Sequence, residues 1–116
     1  MAVVPLLSDE EASAEALAVF NDIREARGTD YVNNFWRALA HDPVQLKSVW
    51  RGIQSVMGPG ALDPLVKELI YVAVSTANGC GYCVHSHTAS ARAKGITPDM
   101  HAELLAIIAM ASQTNA

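Results

Sequence analysis

Three times in this chain a residue that caps helices is followed at once by proline: Asp42-Pro43, Asp63-Pro64 and Thr97-Pro98. The Asp and Thr side chains accept hydrogen bonds from the unpaired N–H groups of a first helical turn. Proline loses nothing there, because the N–H it lacks would have no partner in the helix anyway. These pairs predict helices opening near 43, 64 and 98, the first running to about Met57 and stopped by Gly58-Pro59-Gly60. Upstream, Ser8 and Glu11 match the S-x-x-E capping box, with Asp9 and Glu10 suited to the positive end of a helix dipole. Ala12, Ala16, Val19, Phe20 and Ile23 follow at helical spacing, and Gly28 is a fit stop. A short aromatic segment, Tyr31 to Ala40, carries Phe35 and Trp36.

One stretch admits a second reading. Leu69 to Thr76 is rich in β-branched residues and would serve as a buried strand. A strand leading into C-x-x-C and a helix is the thioredoxin-like pattern, but no other convincing strand is present to build its sheet. Counted from Asp63-Pro64, the segment is long enough to be a helix that is apolar nearly all round and therefore buried. The chain reads as all-α: one domain over residues 1–116, of five to six helices with short loops. The last helix, after Thr97-Pro98, is apolar on more than one face through Leu104, Leu105, Ile107, Ile108 and Met110. A small monomer cannot cover that much surface, so self-association is expected.

The chemistry is concentrated between Glu68 and Gly95. That stretch holds both cysteines and two of the four histidines. Asn78-Gly79 suits a helix C-terminus, since both residues tolerate the left-handed conformation. Cys80 then starts the next helix, with Cys83 in its first turn, where unpaired N–H groups favour a thiolate. One helical turn separates the two, close to the ~5.5 Å Cα spacing that a disulfide prefers. His87 lies one turn beyond Cys83 and can take the thiol proton. His85 lies about 200° around the helix from Cys83 at ~100° per residue, which makes it a secondary candidate. Glu68 is the lone acid between Leu65 and Ala77. On a buried helix its pKa is expected to rise, as suits a proton-accepting group; the bland reading is a surface pair with a lysine or arginine.

Other uses of the same residues stay open. Cys80, Cys83, His85 and His87 are all zinc-ligand types, but structural zinc usually draws ligand pairs from separated elements, and these fall within eight residues. His41 or His101 would have to complete such a site. Haem attachment needs histidine directly after the second cysteine, and Val84 stands there. Two inert buried cysteines are the plainest alternative. His41 and His101 fit capping or solvated positions, and Trp36 and Trp50 fit the core. No cofactor and no metal are expected.

Eight basic against twelve acidic residues, with no basic cluster, argue against a nucleic-acid partner. The opening MAVVPLLSDEE has no positive region and too short an apolar run for a signal peptide. Nothing approaches the roughly 18 apolar residues of a membrane span. The expectation is a soluble cytoplasmic protein, where a thiol pair is more often catalytic or metal-binding than structural.

Glu68, then Cys80-Gly-Tyr-Cys83, then His87 resembles the alkylhydroperoxidase D-like members of the carboxymuconolactone decarboxylase family; the match covers Asp63 to Gly95. The resemblance implies an all-helical fold, trimers or hexamers, and thiol-dependent reduction of hydroperoxides. By position it implies that Cys83 attacks peroxide, Cys80 resolves, and Glu68 with His87 relays protons. It also implies an external dithiol reductant, which in the family can be a lipoyl-bearing protein. Tyr82 stands where the best-characterised members carry a second relay histidine, and a phenol is a poor base near neutral pH. A decarboxylase-type enzyme on the same fold, a branch that does not depend on the dithiol, is the alternative. A non-enzymatic redox or zinc-binding protein is the third reading.

Overall fold

The computed structural model describes residues 4–116, and among them every regular element is helical. There are six: α1 (Ala14–Arg27), α2 (Asn34–Leu39), α3 (Pro43–Met57), α4 (Pro64–Ala77), α5 (Gly81–Ala93) and α6 (Pro98–Thr114). The prolines sit where the sequence puts them. Asp63 caps α4 by accepting from the Leu65 N–H at 2.9 Å, and Thr97 caps α6 by accepting from Met100 at 3.1 Å. Asp42 accepts from the Gln45 N–H at 3.1 Å and opens α3. Leu69 to Thr76 is helical, within α4.

The first helix departs from expectation. Ser8 and Glu11 do make both reciprocal bonds of a capping box, at 3.1 and 3.2 Å. They close a turn, however, and the helix begins at Ala14, capped by Ser13 accepting from the Ala16 N–H. Two competent caps lie five residues apart, and packing selects the second.

The chain forms two compact units, one ending at Val56 and one beginning at Met57. The first is built on a core of Ala16, Val19, Phe20, Ile23, Val32, Trp36, Ala40, Leu46 and Trp50. Trp36 and Trp50 meet edge to face at 5.4 Å, the favoured geometry for aromatic quadrupoles. The Trp50 indole N–H donates to Asp22 at 2.6 Å, so the ring is buried without an orphaned donor. Asp9 ties Arg24 and Arg37 together at 2.9 and 3.2 Å.

The second unit holds α4, α5 and α6, with α4 packed on both of the others. Its turns place the cysteines. Gly79 adopts φ 71°, the Cys80 N–H bonds the Ser75 carbonyl, and the Gly79 N–H bonds Thr76. This is the Schellman pattern, which reverses the chain and satisfies the last carbonyls of α4. The same pattern ends α5: Gly95 has φ 96°, with Ile96 N–H on Ala91 and Gly95 N–H on Arg92.

α4 is not buried all round, contrary to expectation. Only Glu68, Val72 and Ser75 are buried, while Val66, Ile70 and Val74 form an exposed stripe, Val74 at 54%. Within the second unit α4 packs on α5 and α6, and these two do not enclose it. α6 buries no residue at all and exposes Leu105, Ile107 and Met110. None of the described helices is long and apolar enough to cross a membrane.

An alanine at Gly79 meets no neighbouring atom but must hold φ 71°. Gly79→Ala is expected to lower stability by about 1 kcal/mol through backbone strain alone. Urea unfolding followed by circular dichroism checks this, and an unchanged midpoint would remove the strain account.

Candidate active site

Cys80 is the N-cap of α5 and Cys83 lies inside its first turn. The two are joined by a disulfide with a Cα separation of 5.3 Å. Cys80 Sγ also accepts from the Cys83 N–H at 3.3 Å, so the sulfur satisfies one of the helix's free donors. Both side chains are half-buried. The thiol pair therefore sits at the positive end of a helix dipole, where negative charge on sulfur is favoured.

His87 follows one turn later and reaches across to α4. Its Nδ1 lies 2.8 Å from Glu68 Oε2. Tyr71, one turn beyond Glu68 on α4, stacks on the imidazole at 3.7 Å with the rings inclined by 20°. One residue thus holds the edge of the ring and the other its face. Nε2 has no hydrogen-bond partner among the described residues, which leaves that nitrogen for proton exchange.

Glu68 is 4% exposed, the most deeply buried charged group of the second unit. Its other oxygen, Oε1, accepts from Lys94 Nζ at 2.9 Å. Here an expectation is reversed. Burial does push the Glu68 carboxyl up, and it is the largest single influence, but the hydrogen bonds and charges of His87 and Lys94 together outweigh it. The carboxyl ends below its ordinary value and is ionised at neutral pH. A carboxylate can only accept, so His87 Nδ1 carries the hydrogen and donates it.

The structure brings together Glu68, His87, Cys80 and Cys83 on two adjacent elements, α4 and α5. Tyr82 lies between the cysteines and is 49% exposed. His85 is exposed and makes no hydrogen bond among the described residues. His41 is exposed, with Nε2 2.6 Å from the Pro5 carbonyl oxygen. Among the described residues no three His, Cys, Asp or Glu side chains converge as a metal site would require. Two participants escaped the sequence reading, Tyr71 and Lys94. Spacing alone pointed to Tyr71, three residues from Glu68 and hence on its face. For Lys94 the signal was its place seven residues after His87, two turns along the same face.

The fold and this arrangement define a class. Residues 46–116 match the model of the carboxymuconolactone decarboxylase family, and the chain belongs to that family. The match takes in Glu68, Cys80, Cys83 and His87, and the secondary candidates Tyr82 and His85. Among solved structures the chain is similar to the alkylhydroperoxidase AhpD core from Rhodospirillum rubrum, with 63% identity and a TM-score of 0.94. That likeness spans 99% of this chain and 87% of the other. An uncharacterized protein of Cupriavidus necator is 35% identical over 77 residues, 66% of this chain and 68% of that protein. The architecture is that of the AhpD core.

Because the Glu68 pKa is lowered by folding, its contribution to stability is complete above the unfolded value, about 4.3. It is lost as pH falls through the lower folded value. The stability gap between parent and Glu68→Gln is therefore expected to stay constant from pH 7 to about 5 and to narrow below about pH 4. Denaturant titrations across that range check it; a gap that widens in acid would mean that folding raises the pKa instead.

Proposed function

We propose that this chain is a thiol-dependent peroxidase of the alkylhydroperoxidase type, acting on organic hydroperoxides or hydrogen peroxide. The observation that carries the reading is the Cys80–Cys83 disulfide at the start of α5, one turn from an imidazole held by a buried carboxylate. The 63% identity to an alkylhydroperoxidase core supports it.

In this reading Nε2 of His87 takes the Cys83 proton, and the resulting thiolate attacks the distal oxygen of the peroxide. The O–O bond breaks, Cys83 becomes a sulfenic acid, and the alcohol or water leaves with a proton returned through His87. Glu68 stays ionised and steadies the imidazolium between the two transfers. Cys80 then attacks the Cys83 sulfur, water departs, and the disulfide forms. An external dithiol, such as a lipoyl-bearing protein, restores both thiols by exchange. Tyr82 and His85 are secondary: each lies on α5 near the thiols.

The two cysteines are expected to fail differently. Cys83→Ser should abolish peroxide consumption at the first turnover, because a serine hydroxyl near neutral pH is a poor nucleophile without a strong base. Cys80→Ser should react once and leave a sulfenic acid that a dimedone probe traps. His87→Ala should slow that first step by ~10²–10⁴-fold. Stopped-flow measurement on the reduced proteins decides: Cys80→Ser losing the first step while Cys83→Ser keeps it would reverse the roles. Parental consumption by both variants would sink the reading.

The assembly that fits this reading is a homo-oligomer, a trimer or a hexamer. Val66, Ile70 and Val74 on α4, with Leu105, Ile107 and Met110 on α6, are apolar side chains left in water by a single chain. Sedimentation velocity at micromolar concentration is expected to show no monomer; a stable monomer would overturn the assembly while leaving the dithiol chemistry standing.

A further inference from the structure

The relay as proposed uses Glu68 and His87 and leaves Lys94 without a task. Yet the fold spends a specific turn on Lys94. It is the C-cap of α5, set by the left-handed Gly95 and by the Ile96-to-Ala91 and Gly95-to-Arg92 bonds. Seven residues after His87 it shares that residue's face, and its Nζ lies 2.9 Å from Glu68 Oε1. The side chain is 39% exposed along its length, but the group it contacts is buried.

The reason to hold a cation there lies in two protonation states of the carboxyl–imidazole pair, the second of which holds one more proton, taken from solvent. An ionised Glu68 accepts from Nδ1–H and leaves Nε2 with a free lone pair. A protonated Glu68 donates to Nδ1 instead, and the ring's own hydrogen must then sit on Nε2. The second arrangement is neutral and suits a dry site; it cannot take a proton from a thiol. A buried carboxylate beside one uncharged imidazole drifts toward it, because burial penalises charge.

We infer that Lys94 is a positioning residue: its ammonium on Oε1 holds Glu68 ionised and so fixes the His87 tautomer whose Nε2 can accept the Cys83 proton. This rests on the relay reading above. Every charged group bonded to the pair is accounted for. α4 supplies Glu68 and the stacked Tyr71, and α5 supplies His87 and Lys94. α6, the other helix on α4, carries Asp99, His101 and Glu103, none of which bonds to Glu68 or His87.

The test uses the reduced, ¹⁵N-labelled full chain at pH 8, reading the His87 ring nitrogens by long-range ¹H–¹⁵N correlation and assigning them by their loss in His87→Gln. Parent and Lys94→Arg are expected to show hydrogen on Nδ1 and a bare Nε2. Lys94→Met, and Lys94→Gln, which keeps an N–H donor but no charge, are expected to shift the hydrogen toward Nε2. In both, the first-turnover rate with excess hydroperoxide should fall roughly tenfold or more. Retention of the parental ring pattern in folded Lys94→Gln overturns the inference, and so does a fall in rate with no change at the ring. If the ring pattern changes as expected but no protein, parent included, consumes peroxide, the role of Lys94 stands and the peroxidase reading falls.

Discussion

The second unit turns on one buried carboxylate. Glu68 joins α4 to α5 twice, through His87 at the middle of α5 and through Lys94 at its C-cap, at 2.8 and 2.9 Å. A helix pinned to its neighbour at two points two turns apart has little freedom to slide or roll, and the cysteines lie on that same helix one and two turns before the imidazole. The energetics are unforgiving. With both partners in place the buried charge is tolerated; with Lys94 removed only the imidazole faces the carboxylate, and burial then favours the protonated form. An apolar residue at 68 would pack at least as well, so stability alone gives no reason for an acid there. In the proposed relay the reason is chemical, since the carboxylate orients the His87 ring.

How far the sequence reveals this differs from element to element. Helices α3, α4 and α6 were legible to the residue at their starts, because an Asp or Thr followed by proline is a local signal that tertiary packing has little cause to override. The start of α1 was not, because Ser8 and Ser13 are both competent caps and only packing chooses between them. The exposure of Val66, Ile70 and Val74 was illegible for another reason. Composition says that a helix is apolar all round, but the number of neighbours available to cover it is a property of the assembled chain.

The site divides the same way. Cys80, Cys83 and His87 announce themselves by spacing within one helix, and Glu68 by being an acid in an apolar run. Lys94 is 26 residues from Glu68 in sequence and on a different helix, so only the packing of α5 on α4 makes them partners. That missing partner is also why the expected sign of the Glu68 shift was wrong. Burial was read correctly and pushes the expected way, but a shift is a sum, and two of its larger members were invisible without the fold.

In the proposed peroxidase reading, the placement of the cysteines limits what a dithiol–disulfide cycle would have to move. Cys83 belongs to the first turn of the helix, with its N–H taken by the Cys80 sulfur; Cys80 is one step outside the helix, at the cap. Opening the disulfide therefore asks for rotation about side-chain bonds and an adjustment of one capping residue, while α5 and everything attached to it stay in place. The Cα separation of 5.3 Å is close to the spacing that a turn of helix gives by itself. Freed, the Cys80 sulfur remains next to the Cys83 N–H that it already accepts from, at a helix end that favours negative charge. The Schellman turn at Gly79 is what makes this possible, since it delivers Cys80 to the cap position with the last carbonyls of α4 already satisfied. In that reading the redox change would be confined to two side chains and would leave the Glu68–His87 pair in place.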